Sequence, residues 1–511
     1  MNSRGGFVLV VCALSACAPA PSVEPWDRVL PTPTEVFPDN RVRTFDSFSN
    51  IGVNDDSLLP GAKLLGAELR RGTEWQWPVS TASSAVIRLE LDASLHDSLG
   101  DEGYELVSSR SGVVIRAANA AGVFWGTQTL RQLLPVKFTP GAMRLGTGAV
   151  RDVPRFAWRG LMVDVARHFF ELSELKRLVN VMARYKLNRL HLHLTDDQGW
   201  RLESQKWPAL NGIGAATEVG GTEGGQLTRA EYSELVAYAA ERFITVVPEL
   251  DLPGHTNAAL ASIPELNCDG VAPPPYIGTM VGFSSLCASR PETARFIRDV
   301  IDEVAALTPG PWIHIGGDEA RSTSADDYTR MIQLARAAVE ANGKQLVGWE
   351  ELANADAGTG VVVQHWIDPS LATRAVQSGA KVILSPARRV YFDMQYAVDT
   401  PRDVGTFWAG YVDARLSFEW DPAQWLPGVS ESSVLGVEGA VWTEFIDTND
   451  ELETMIFPRL IGVGELGWAK SPDWRKYSTR LGTHVSRITD DGAGVKLFLA
   501  PQVPWAAMST E

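Results

Sequence analysis

From Arg159 onward the chain alternates between short apolar runs that read as strands and, in most intervals, stretches of helical period. The runs are 159–167, 189–196, 245–251, 312–319, 345–351, 361–367, 381–387 and 434–444. Eight buried strands alternating with helices are the sequence form of a (β/α)8 barrel. Ser173–Tyr185 and Thr228–Phe243 are two of the expected helices, and the second opens on the capping-box pair Thr228 and Glu231. The 252–311 connection is too long for a simple loop, and long barrel loops build or cover a site.

Ahead of the barrel the pattern is different. Val86–Asp92, Gly103–Ser109 and Gly112–Ala117 alternate as strands do, and Asn119–Leu134 is helical in period. This is the signature of a small α+β unit, and it holds no catalytic cluster. The N-terminus carries Arg4 and then an apolar run from Phe7 to Leu14, too short to span a bilayer as a stable helix. It ends in Leu14-Ser15-Ala16-Cys17, which resembles a bacterial lipobox whose cysteine becomes lipidated; a plain secretory signal would instead be cut near Ala16 or Ala18. The expected organisation is a signal over 1–16, a tether over 17–40, a non-catalytic α+β domain over 41–150, the catalytic barrel over 151–490 and a C-terminal segment over 491–511. The expected location is the cell envelope: an exported lipoprotein, periplasmic and outer-membrane-associated or on the cell surface, held by its lipid anchor alone. With Cys12 removed and Cys17 lipidated, Cys268 and Cys287 remain, and an oxidising compartment favours a disulfide between them. The net charge of −16 disfavours nucleic acid as a partner, because phosphate binding needs a basic stripe.

The chemistry-bearing residues fall at the C-terminal ends of the strand runs, where barrel enzymes build their sites. Asp164 and Arg167 end the first run, His191, His193 and Asp196 the second, and Glu249 the third, with His255 just beyond it. His314, Asp318 and Glu319 end the fourth, Trp349 lies at the end of the fifth, Trp366 at that of the sixth, and Trp442 and Glu444 end the eighth. Two chemistries could use such a ring. His191-x-His193 places two imidazoles on one strand face, a metal-ligand spacing that Asp196, His255 and Asp318 could complete. Carboxylates with tryptophan faces suit glycoside hydrolysis, which also accounts for a chain with 17 Trp.

His314-Ile-Gly-Gly-Asp318-Glu319 resembles the signature of glycoside hydrolase family 20, the β-N-acetylhexosaminidases. The resemblance runs from about Gly103 to the C-terminus. It includes Gly122–Leu134, Arg159–Arg167, His193–Arg201 and Pro248–His255, in the family's order. It implies an exo-acting enzyme that removes terminal β-linked GlcNAc or GalNAc from oligosaccharides or glycoconjugates, with no cofactor and no metal. Glu319 matches the general acid/base, and Asp318 the residue that orients the substrate's acetamido group and stabilises its charge. Arg167 and Glu444 match residues that hold sugar hydroxyls. Tyr391 and Asp393 match a Tyr-x-Asp whose tyrosine hydrogen-bonds the acetamido oxygen. Trp349, Trp366 and Trp442 match an aromatic box, and Asp196 and His255 match supporting residues near the acid. Phe392 and Leu192 depart from the residues usual in the family, at positions without an assigned role.

Adjacent carboxylates cannot flank a sugar from opposite faces, as the usual retaining and inverting pairs do. One therefore acts on the leaving oxygen while its neighbour does something else. The substrate-assisted route supplies that role: the acetamido carbonyl attacks C1, and Asp318 steadies the oxazolinium-like cation. A sugar-binding lipoprotein without activity, and a metal-dependent barrel hydrolase, are the alternatives.

Overall fold

The computed structural model describes residues 24–81, 84–136, 143–355, 358–400, 404–489 and 494–506. The signal segment and Cys17 lie outside the described residues. The N-terminal unit is a seven-stranded sheet made of β1 (Glu35–Phe45), β2 (Ile51–Val53), β3 (Val79–Ser80), β4 (Ile87–Leu91), β5 (Tyr104–Ser108), β6 (Val113–Ala117) and β7 (Met143–Asp152), in the order β1-β7-β5-β6-β4-β2-β3. β4, β5, β6 and the helix Ala120–Leu133 stand where the sequence places them. β1, β2, β7 and the helix Leu59–Thr73 are additions. β1 is hard to read because Pro38 interrupts it and its register against β7 shifts between Pro38 and Val42.

The eight apolar runs form a closed parallel barrel. Its strands are β8 (Trp158–Asp164), β9 (Arg189–His193), β10 (Thr245–Glu249), β11 (Trp312–His314), β12 (Gln345–Trp349), β13 (Val362–His365), β14 (Lys381–Leu384) and β15 (Val434–Val441). They pair in sequence, and β15 closes on β8. β8 is buried along its whole length, as a strand with packed layers on both faces must be. Helices Leu172–Arg184 and Arg229–Ala240 cover the barrel, the second starting at a Thr228–Glu231 capping box.

The helix Ala120–Leu133 joins the two units. It is buried from Gly122 to Leu133, because the sheet lies on one side and the barrel on the other. A Cβ at Gly122 would fall 2.3 Å from the Gly103 carbonyl oxygen, so only glycine permits this approach to the sheet. On the barrel side Trp125 meets Trp468 edge-on, with ring centroids 6.4 Å apart. Beside it a buried polar knot ties the units together. Lys186 Nζ donates to Asp152 and to the Tyr104 hydroxyl, both at 2.9 Å, and the Trp468 indole also donates to Asp152. Arg159 forks onto Glu102 at 2.8 and 3.0 Å.

Candidate active site

The barrel strands are short, and their C-terminal ends open on a cavity of ≈ 400 Å³. Its chemistry begins in the turn after β11. Gly316 has φ +66°, and a Cβ there would lie 1.7 Å from Asp251 Oδ1, so the carboxyl packed beneath it demands glycine at that position; Gly317 has φ +96°, and its Cβ would come 3.0 Å from Leu352. The turn delivers Asp318 and Glu319 side by side into the cavity. Glu319 has φ +45° and His255 φ +55°, left-handed conformations that are rare for such side chains and tend to cluster at functional sites.

His255 stands between the two carboxyls and the barrel wall. Its Nε2 is 3.7 Å from both Asp318 Oδ2 and Glu319 Oε2, and its Nδ1 is 3.2 Å from Asp196 Oδ1. Burial works against a charge on His255, but Asp196 and then Asp251 outweigh it and hold its pKa well above the usual imidazole value. Burial pushes Asp318 up to about 6; His255 partly offsets this, while Glu249 and Glu319 add to it. No described group donates to Asp318 Oδ1.

Arg167 crosses the far side of the same wall. It reaches Asp164 at 3.1 Å, Asp196 at 2.7 Å and Glu444 at 3.7 Å, and its guanidinium lies over the Trp442 ring. Burial opposes its charge, but Asp196, Glu444 and Asp164 raise its pKa well above the ordinary arginine value. Burial and then Glu444 hold the Asp393 carboxyl well above its usual range, and burial raises Glu444 too, against the opposing pull of Arg167. Asp196 does not line the cavity. It sits one layer behind, where His193, His255 and Arg167 converge on it.

Five aromatic residues line the cavity: Trp366, Tyr391, Trp408, Trp442 and, at the rim, Phe445. Trp366 and Tyr391 lie with parallel planes, 6° apart at 6.3 Å. Trp442 is 6.2 Å from Tyr391, and Trp408 meets both Trp366 and Tyr391 edge-on at about 6 Å. Tyr391 keeps its proton, because burial and then Asp318 drive its pKa well above the phenol value. Trp349 is 1 % exposed and forms the floor under Trp442, its indole N–H donating to Glu249. The indole of Trp366 is fixed in turn by Glu351, whose two oxygens each lie 3.2 Å from Nε1.

Trp408 escapes the sequence reading. It lies in the irregular 385–433 interval, with no period to mark it; the only signal is the pair Phe407-Trp408 in a polar loop. Arg321, Thr279 and Val281 also reach the cavity unannounced. The last two come from the long connection after β10, which a Cys268–Cys287 disulfide closes at its base.

His191 and His193 lie below the cavity, inside the barrel. His191 Nδ1 is 2.8 Å from Glu438 and its Nε2 3.1 Å from Glu249; His193 bridges Glu249 at 2.6 Å and Asp196 at 2.9 Å. Burial disfavours their charges, but these carboxylates, Glu249 foremost, raise the two rings to about 9 and about 10. Each of these ring nitrogens faces a buried carboxylate, so the strand-face pair forms a charge network inside the barrel.

Comparison with known proteins agrees with this geometry. Residues 156–471 match the glycosyl hydrolase family 20 catalytic domain, and residues 27–153 match domain 2 of the same family. The chain is 42 % identical to a beta-N-acetylhexosaminidase of Cellulomonas fimi over 449 residues, covering 87 % of this chain and 89 % of that protein. It is similar to the solved N-acetyl-beta-hexosaminidase of Streptomyces plicatus in complex with Thio-NAglucal, at 47 % identity and a TM-score of 0.91, covering 95 % of this chain and 99 % of that one. A mutant of the S. plicatus enzyme in complex with its product GlcNAc gives 47 % identity and a TM-score of 0.90, over 95 % and 99 % of the two chains.

Proposed function

The chain belongs to glycosyl hydrolase family 20, and from that premise we propose how its own residues divide the reaction. It is an exo-acting β-N-acetylhexosaminidase that works by substrate assistance. The observation that carries the assignment of roles is the placement of Asp318 and Glu319. Both enter the cavity from one turn and lie equally far from His255 Nε2, so they address the sugar from the same side.

In this reading the terminal sugar sits among Trp366, Tyr391, Trp408 and Trp442, its apolar ring face against the indoles. Arg167, Asp393 and Glu444 bind its hydroxyls. The Tyr391 hydroxyl donates to the acetamido carbonyl, and Asp318 Oδ1 accepts from the acetamido N–H. Those two contacts aim the carbonyl oxygen at C1, so the nucleophile is bound already oriented. Glu319 gives its proton to the leaving oxygen as the C1–O bond breaks. The bond from the carbonyl oxygen to C1 closes the oxazolinium ring, and the Asp318 carboxylate offsets its positive charge. Glu319 then takes a proton from water, which opens the ring at C1 with the anomeric configuration retained. Asp196 orients His255 and Arg167, as a buried carboxylate supports the groups that touch substrate.

The cavity volume suits one sugar, which supports removal of single terminal residues from GlcNAc- or GalNAc-bearing chains. The test is a matched pair of aryl glycosides with the same leaving group. The β-N-acetylglucosaminide should turn over efficiently and the plain β-glucoside very poorly. Comparable turnover of both would contradict the reading, and absence of turnover on either would favour a sugar-binding protein without activity.

A further inference from the structure

Among the described residues lining the cavity, Arg321 is the cation that the reaction above does not use. The other two, Arg167 and His255, are buried and bound to carboxylates. The Arg321 side chain is 67 % exposed at the rim, and its Nη2 donates to Glu319 Oε1 at 2.5 Å. Its place is built rather than accidental. The Arg321 backbone N–H donates to the Glu319 carbonyl at 2.6 Å, and the neighbouring Ser322 hydroxyl donates to the Gly282 carbonyl at 2.9 Å. Gly282 has φ +80°, and a Cβ there would come within 3.0 Å of Arg321 Cδ, so the long loop after β10 lies directly on the arginine stem.

This position has a chemical consequence. Glu319 must face the leaving oxygen to protonate it, so whatever that oxygen carries passes the guanidinium. A Glu319 that holds the proton no longer neutralises Arg321. A negative group on the leaving sugar would restore the lost pairing in the complex that reacts. Around Arg321 the rim offers apolar surface for that sugar's ring, from Val281, Trp408 and Phe445.

We propose that Arg321 makes the leaving-group side of this site selective for aglycones that carry a carboxylate, an acidic second sugar rather than a neutral one. The proposal rests on Glu319 being the proton donor, and it adds the class of natural substrate. Two chemistries fit, a sugar with a lactyl ether beside the linkage and a uronic acid.

The experiment measures kcat/KM on two matched pairs of disaccharides. One pair is GlcNAc-β-1,4-MurNAc against GlcNAc-β-1,4-GlcNAc, which differ by the lactyl group. The other is GlcNAc-β-1,4-glucuronic acid against GlcNAc-β-1,4-glucose. Both members of a pair use the same proton donor, so any effect of a substitution on Glu319 cancels in their ratio. The wild-type protein should favour the acidic member of at least one pair by about three- to tenfold, the range of an exposed charge-assisted contact. Arg321→Gln should bring that ratio to near one, Arg321→Glu should invert it, and about 0.5 M salt should shrink it. The pair that responds identifies the source of the carboxylate. Ratios that are unchanged in both variants, or near one in the wild type, would overturn the proposal alone. A wild-type protein that cleaves none of the four disaccharides and no aryl N-acetylglucosaminide would overturn the assignment of Glu319 and the proposal with it.

Discussion

Buried beside Glu249 and Glu319, the Asp318 carboxyl is held near 6, and this sets the acid side of the reaction. The oxazolinium needs the carboxylate, so kcat/KM should fall on the acid side with an inflection near that value. His255 lowers the Asp318 pKa by its positive charge, so His255→Gln should move the inflection to higher pH and depress activity at neutrality. A limb that stays in place or moves to lower pH would contradict the sign. Substitutions of the pair should separate their duties. Glu319→Gln removes the proton donor, so its loss should be largest with poor leaving groups and smallest with activated aryl glycosides. Asp318→Asn keeps the shape and removes the charge, so its loss should be large whatever the leaving group. Steady-state kinetics across a series of aryl leaving groups reads both slopes, and equal slopes would reject the division of roles. These two residues are legible in sequence because the Gly-Gly ahead of them is forced: both glycines take positive φ, and Asp251 leaves no room for a Cβ at Gly316. Trp408 is not, because a ring on an irregular loop leaves no periodic trace.

At the scale of elements, the connection after β10 does more than link a strand to a helix. Thr279 and Val281 form part of the cavity wall, and Gly282 clasps the segment that carries Glu319. The Cys268–Cys287 disulfide, with a sequence separation of 19, closes this loop. Replacing both cysteines with serine should cost roughly 3 kcal/mol in the chain-entropy model. It should also raise KM for disaccharides more than for small aryl glycosides, since the loosened wall serves the leaving sugar. A thermal melt of the double variant that overlays the wild type would contradict this. The barrel strands were legible because short runs rich in apolar residues recur eight times and most intervals between them are helical in period. The first strand of the N-terminal sheet was not, because Pro38 and a register shift break its alternation. The helix Leu59–Thr73 carries only a modest apolar stripe around Leu65 and Leu69, which a sequence without a partner surface does not advertise.

For the whole molecule, the sheet and barrel meet across a buried helix, legible from its period and the Gly122–Leu134 motif, and across the Lys186–Asp152 pair, a long-range contact that no local pattern marks. No described helix is long and apolar enough to cross a membrane. We propose an envelope location, and it rests on Cys17 as a lipid site in the Leu14-Ser15-Ala16-Cys17 segment. Cys17→Ala should abolish acyl labelling and release the protein from the membrane fraction, and retention there would refute the anchor. At the centre of the reaction the substrate supplies its own nucleophile. The most direct measurement is kcat/KM for one aryl β-N-acylglucosaminide whose acetyl group carries zero, one, two and three fluorines. Fluorine withdraws electrons from the carbonyl oxygen while leaving the sugar and the leaving group unchanged. If that oxygen attacks C1, kcat/KM falls progressively with each fluorine; a flat series would mean that a protein group or water attacks instead.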